Sequence, residues 1–177
     1  FIDVGFEKDA FLHYQDLGPR VNSLNKLVKL IRNKSHQGTS LKGFENEPEI
    51  DKLGKISQVL SKNNQVLVQV VKEPISTKGP RLSCELSLAG RYLVLVPFSD
   101  TVNVSKKIRS AEERRRLARL ITSIKPANFG VIIRTVADGQ SVTELDKDLR
   151  NLLETWEDGM RKLQKAKVKD KIIGEMS

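Results

Sequence analysis

Apolar residues at Val21, Leu24, Leu27, Val28 and Ile31 recur at helical spacing with Lys and Asn between them, which predicts a helix over 21–31. Residues 1–12 alternate loosely around Gly5, as a strand, a turn and a second strand would. From His36 to Gly54 the chain is polar and carries Gly38, Gly43, Pro48 and Gly54, which predicts a long loop of the inserted or mobile kind. One helical turn is expected at 56–60. The near-continuous apolar run VLVQVV predicts a strand over 65–72, and a turn-rich loop with Lys78 at its tip follows. Two further strands, 82–88 and 92–96, would meet at Ala89-Gly90.

The strongest helix signals come later. Ser110 with Glu113, and Ser141 with Glu144, both fit the Ser-x-x-Glu capping box. The first helix would bury Leu117, Leu120, Ile121 and Ile124, present its arginines outward and stop at Pro126. A strand over 129–136, FGVIIRTV, separates it from the second. That helix would carry Val142, Leu145, Leu149, Leu152, Leu153 and Trp156 on one face, and after Gly159 the chain is basic. The elements therefore predict an α+β chain in two parts. Residues 1–84 would be a small strand-rich barrel with an insertion at about 20–55, and residues 85–177 a small α/β layer. Because the chain starts at Phe1, inside a patterned segment, it reads as a piece of a longer protein.

Charge sharpens this picture. The 177 residues hold 31 Lys and Arg against 22 Asp and Glu, a net charge of +9. Between Thr101 and Lys125 stand Lys106, Lys107, Arg109, Arg114, Arg115, Arg116, Arg119 and Lys125 against only Glu112 and Glu113, so two thirds of the excess lies in one stretch. Segregation of this kind suits a polyanion, and nucleic acid is the expected partner. No run approaches the roughly 18 apolar residues of a membrane span. One cysteine and two histidines exclude a disulfide framework and offer a poor metal-ligand set, and a reducing, cytoplasmic setting is the default.

No catalytic constellation is visible, and neither a nucleophile elbow nor a phosphate-cradling glycine loop occurs. Glu144, Asp146, Asp148 and Glu154 read as a solvated helix face. Asp3 reads as closing a turn, His13 as structural, and Cys84 as a small buried hydrophobe. Phe1, Phe6 and Phe11, close to Lys8 and His13, could stack on single-stranded bases or fill a barrel core. Arg134 and Thr135 end an apolar strand, where a guanidinium fork and a hydroxyl would suit a phosphate.

Three stretches, FIDVGFEKDAFL, then VLVQVVKEPISTKGPRLSCELSLAGRYLVLVPF, then FGVIIRTVADGQSVTELDKDL, resemble the ribonuclease E/G family of bacterial endoribonucleases in order and spacing. The resemblance implies an RNA-binding OB-fold of the S-one type followed by a 5′-sensor domain. It implies that Phe1, Phe11 and Lys78 contact single-stranded RNA. It also implies that Gly90, Val94, Arg134 and Thr135 form a 5′-monophosphate pocket. Lys106 and Lys107 stand where arginines would be expected. They join Arg115 and Arg119 of the basic helix as expected RNA contacts. The expected role is RNA binding and 5′-end sensing within an enzyme of RNA processing and decay, rRNA included. No catalytic or metal-binding residue is expected in this segment. Mg²⁺, and Zn²⁺ between subunits of a homo-oligomer, would belong to a nuclease domain elsewhere in the parent chain. A stand-alone OB-fold adaptor of translation or ribosome assembly is the alternative, and a scaffold whose basic helix docks an acidic protein is a third reading.

Overall fold

A computed structural model describes residues 1–75 and 77–174, and the chain divides into two compact units. Among the described residues the first comprises 1–37, 45–86 and 162–172, and the second comprises 38–44, 87–161 and 173–174.

In the first unit the opening segment folds back on itself. The Ile2 and Ala10 amides donate to each other's carbonyls at 2.9 and 2.8 Å. The Gly5 amide donates to Asp3 Oδ1 at 3.0 Å, with Gly5 at φ +91°, so Asp3 does close the turn. Lys169 pairs with the same carboxylate at 2.9 Å and holds its pKa below the ordinary value. Helix α1, Val21–Arg32, buries the five apolar positions that define its face, together with Ser23. Strand β1, Gln69–Lys72, pairs antiparallel with β2, Arg81–Ser83, through an irregularity between Val70 and Lys72. Only the end of the expected 65–72 strand pairs, and Val70 and Val71 lie exposed rather than in a core. Cys84 is buried, and desolvation pushes its thiol up to about 12. Two open sheets are present among the described residues, of two and four strands, and the α+β class stands without a closed barrel.

The second unit holds the four-stranded sheet, in the order β3-β4-β6-β5. Its strands are β3 (Leu88–Ala89), β4 (Leu93–Pro97), β5 (Val102–Val104) and β6 (Phe129–Ile133). The expected 82–88 strand is therefore two strands, β2 and β3. Strands β3 and β4 form the hairpin foreseen at Gly90, β4 pairs antiparallel with β6, and β5 runs parallel to β6. Helix α2, Ala111–Ile124, makes the crossover that a parallel pair requires. Ser110 caps it, its Oγ accepting from the Glu113 amide at 3.2 Å. Helix α3, Val142–Lys165, runs on through Gly159. Its buried stripe is Leu145, Leu149, Leu152, Trp156 and Met160, while Val142 is exposed. Gly159 is a packing position: a Cβ there would lie 2.6 Å from Ile173 Cδ1.

Residues 38–44 correct the reading of 36–54 as a simple insertion. Leu41 is buried, Trp156 Nε1 donates to the Gly38 carbonyl at 2.6 Å, and the Phe44 and Phe98 rings lie 5.6 Å apart. This piece of loop thus belongs to the core of the second unit.

Candidate nucleic-acid interface

Strands β5 and β6 run parallel and end together, a place where open sheets commonly bind ligands. The chain leaves β6 at Arg134 and enters a turn of 3-10 helix, Thr135–Ala137. It leaves β5 at Ser105, whose amide donates to the Ile133 carbonyl at 2.9 Å. The two exits place Ser105 Oγ 2.6 Å from Thr135 Oγ1. Lys106 and Lys107 follow directly and are exposed.

Arg134 is tied to the β3–β4 turn three times. Its amide donates to the Tyr92 carbonyl at 2.8 Å, and Nη1 donates to the carbonyls of Gly90 at 2.8 Å and Arg91 at 3.2 Å. Nε and Nη2 make no hydrogen bond among the described residues, and the side chain is exposed. Alternation along β6 puts Arg134 on the same sheet face as Ile132, and Val94 of β4 pairs with Ile132. The Arg134-to-Tyr92 bond sets the ladder so that Val94 and Ile132 exchange both backbone bonds, which commits the Val94 amide to the sheet. What Val94 presents is a half-exposed apolar side chain. Arg134 and Val94 therefore share a sheet face, Gly90 is bonded to Arg134 through its carbonyl, and Thr135 and Ser105 meet where β6 and β5 end.

Asp148 corrects the reading of the α3 carboxylates as a solvated face. Its Oδ1 accepts from the Arg91 amide at 3.0 Å, and its Oδ2 accepts from the amides of Tyr92 and Leu93 at 2.9 and 3.0 Å. A Cβ on Gly90 would lie 2.7 Å from both carboxylate oxygens, so this contact requires glycine there. A sequence signal existed: Asp148 sits between Leu145 and Leu149 of the buried stripe, where a solvated carboxylate does not belong.

The basic stretch divides into engaged and available charges. Arg116 Nε and Nη2 donate to Glu113 at 2.5 and 3.0 Å, and Nη2 also reaches the Gln140 carbonyl. Those bonds, with a further one from the Gly139 amide, lower the Glu113 pKa to about 2. Arg114 Nη1 donates to the carbonyls of Ile108 and Arg109. Lys125 pairs with Asp100 at 3.1 Å. Lys106, Lys107, Arg109, Arg115 and Arg119 are exposed and make no ion pair among the described residues.

In the first unit the aromatic residues are outside, not in a core. Phe1 is 84% and Phe11 43% exposed. Their rings meet edge to face at 4.7 Å, and His13 lies 4.7 Å from Phe11 on a tilted plane. Phe6 is exposed as well. Phe11 is fixed by its backbone, its amide donating to the Pro80 carbonyl at 2.8 Å and its carbonyl accepting from the Leu82 amide at 2.9 Å. Lys8 Nζ donates to the Thr77 carbonyl at 3.1 Å, and Lys78 is exposed on the same loop.

Among the described residues, no three His, Cys, Asp or Glu side chains gather where they could hold a metal ion. Nor is any helix among them long and apolar enough to cross a membrane.

Residues 87–177 match the model of the Ribonuclease E/G family. Over 158 residues the chain is 39% identical to Ribonuclease E of Synechocystis sp., covering 89% of this chain and 19% of that protein. It is 35% identical over 175 residues to Ribonuclease G of Haemophilus influenzae, covering 99% and 32%. Against Ribonuclease G of Escherichia coli the identity is 32% over 177 residues, covering 100% and 32%. The chain belongs to the ribonuclease E/G family, and it spans a fifth to a third of the length of these relatives.

Proposed function

We propose that this chain is the RNA-holding and 5′-end-sensing part of an endoribonuclease of RNA processing and decay, acting in the cytoplasm. In this reading the first unit works as an OB-type domain that stacks single-stranded bases on Phe1 and Phe11, with Lys78 alongside. The end of β5 and β6 receives a 5′-monophosphate. Phosphodiester hydrolysis, with its Mg²⁺, is the task of a nuclease domain outside these residues, in a homo-oligomeric parent.

The observation that carries the reading is the state of Arg134. One guanidinium nitrogen is anchored on two carbonyls while Nε and Nη2 remain for a phosphate, and both can engage it at once. Thr135 and Ser105 add to this. Two hydroxyls joined by one hydrogen bond keep one hydroxyl proton to donate outward. Val94 and Ile132 supply an apolar wall, and Lys106, Lys107, Arg115 and Arg119 attract the following phosphates. A site sized for one phosphate would disfavour a triphosphate.

Fluorescence anisotropy with two oligonucleotides that differ only at the 5′ end tests this. A charge-assisted hydrogen bond is worth about 1.5–3 kcal/mol, so the monophosphate should bind roughly tenfold to a hundredfold more tightly than the hydroxyl. Arg134→Ala should remove the preference and leave 5′-hydroxyl binding within about twofold, because the stacking platform is untouched. Arg134→Lys should restore it only in part, since an ammonium lacks the planar fork. Equal affinities in the unaltered chain would refute the reading.

A further inference from the structure

We propose that Asp148 is a positioning residue of the phosphate site, acting on Arg134 through the backbone of the β3–β4 turn; this rests on the phosphate reading above. In a trans peptide the N–H of one residue and the C=O of the residue before it lie in one plane and point in opposite directions. Asp148 takes the N–H groups of Arg91, Tyr92 and Leu93. The carbonyls of those same three peptide planes are Gly90, Arg91 and Tyr92. All three are accepted partners of Arg134, two at Nη1 and one at its amide. Three consecutive peptide planes therefore have their donors on one carboxylate and their acceptors on one arginine.

The arrangement has two physical consequences. Fixing each N–H on Asp148 fixes the direction of the carbonyl behind it, so the guanidinium is aimed by planes that cannot rotate independently. A carboxylate at the donor end also polarises each peptide group and strengthens its carbonyl as an acceptor. Helix α3 presents Asp148 from within its buried stripe, between Leu145 and Leu149, and so carries the carboxylate on a rigid element. Gly90 completes the device, because any Cβ there would push the carboxylate away.

Asp148→Asn keeps the shape but sets an NH₂ against a backbone N–H, which frees at least one of the three planes. The readout is the ratio of 5′-hydroxyl to 5′-monophosphate dissociation constants for the 177-residue chain, with thermal unfolding followed in parallel. We expect the ratio to fall from its value of roughly tenfold or more to below about threefold, with 5′-hydroxyl affinity unchanged. A purely structural role would lower the melting temperature and leave the ratio of the folded protein intact. Should Asp148→Asn fail to fold, Gly90→Ala drives the same contact apart from the other side, and the same loss of ratio is expected. Retention of the full ratio in the folded variant, while Arg134→Ala loses it, would overturn the role of Asp148 and spare the phosphate site. Parallel loss of affinity for both 5′ ends would also overturn it. Equal affinities in the unaltered chain would overturn the site itself, and Asp148's role with it.

Discussion

Replacing Phe11 by Ala tests the stacking role proposed for the first unit separately from the proposed phosphate site. The ring lies between Phe1 and His13, 4.7 Å from each, and is 43% exposed. Full burial of a phenylalanine contributes about 1.5–3 kcal/mol, so a ring little more than half covered should cost the fold about 1 kcal/mol. Both backbone bonds of Phe11, to Pro80 and Leu82, survive the change. The binding cost is larger. One base stacked on an aromatic ring is worth about 1–3 kcal/mol by alanine substitution, so the dissociation constant should rise about 5- to 150-fold. Anisotropy with a 5′-hydroxyl oligonucleotide measures it without the phosphate site. A salt series supplies the control: a neutral ring releases no counterion, so the log–log slope stays as it was, whereas Lys78→Ala lowers it by about 0.7. An affinity within twofold of the unaltered chain, or a slope change of the lysine type, would refute the stacking role.

Arg115→Ala with Arg119→Ala should flatten the salt dependence of RNA binding by about 1.4 in the log–log slope. Arg116→Ala should leave that slope alone, because Glu113 already neutralises it; equal slopes for all three proteins return the helix face to ordinary solvated surface. Glu113 titrates at about 2 in the fold against an ordinary 4.5, so its contribution to stability is complete above about 4.5 and lost as the pH falls towards 2. Glu113→Gln should flatten the melting temperature between those limits, and a pH profile identical to that of the unaltered chain would rule the carboxylate out as the cause.

Local chemistry was readable along the chain, and distant partners were not. The apolar spacing of α1, the Ser110 and Ser141 caps and the Gly90 hairpin are settled within a few residues, and the fold matches them. Strand β5 is not legible because three residues, Val102–Val104, carry no period and among the described residues pair only with β6. Nothing in the sequence around Gly159 tells that Ile173 packs on it. The run at 65–72 has the composition of a core strand, yet among the described residues β1 has a partner on one side only. Within the site, Arg134 and Thr135 were legible as a strand end offering a fork and a hydroxyl. For Asp148 the sequence offers only its place beside the buried stripe of α3, since its partners are three amides more than fifty residues away.

That separation has a consequence in time. The Arg91 amide and the carboxylate that receives it are 57 residues apart, so at a synthesis rate of about 5–20 residues per second the turn waits roughly 3 to 11 s for Asp148 to be made. Arg134 is synthesised earlier, only 44 residues after Gly90. In the reading proposed above, a nascent chain would hold Arg134 before the helix that carries Asp148 has been translated, and 5′-end recognition would be acquired late, after α3 has folded.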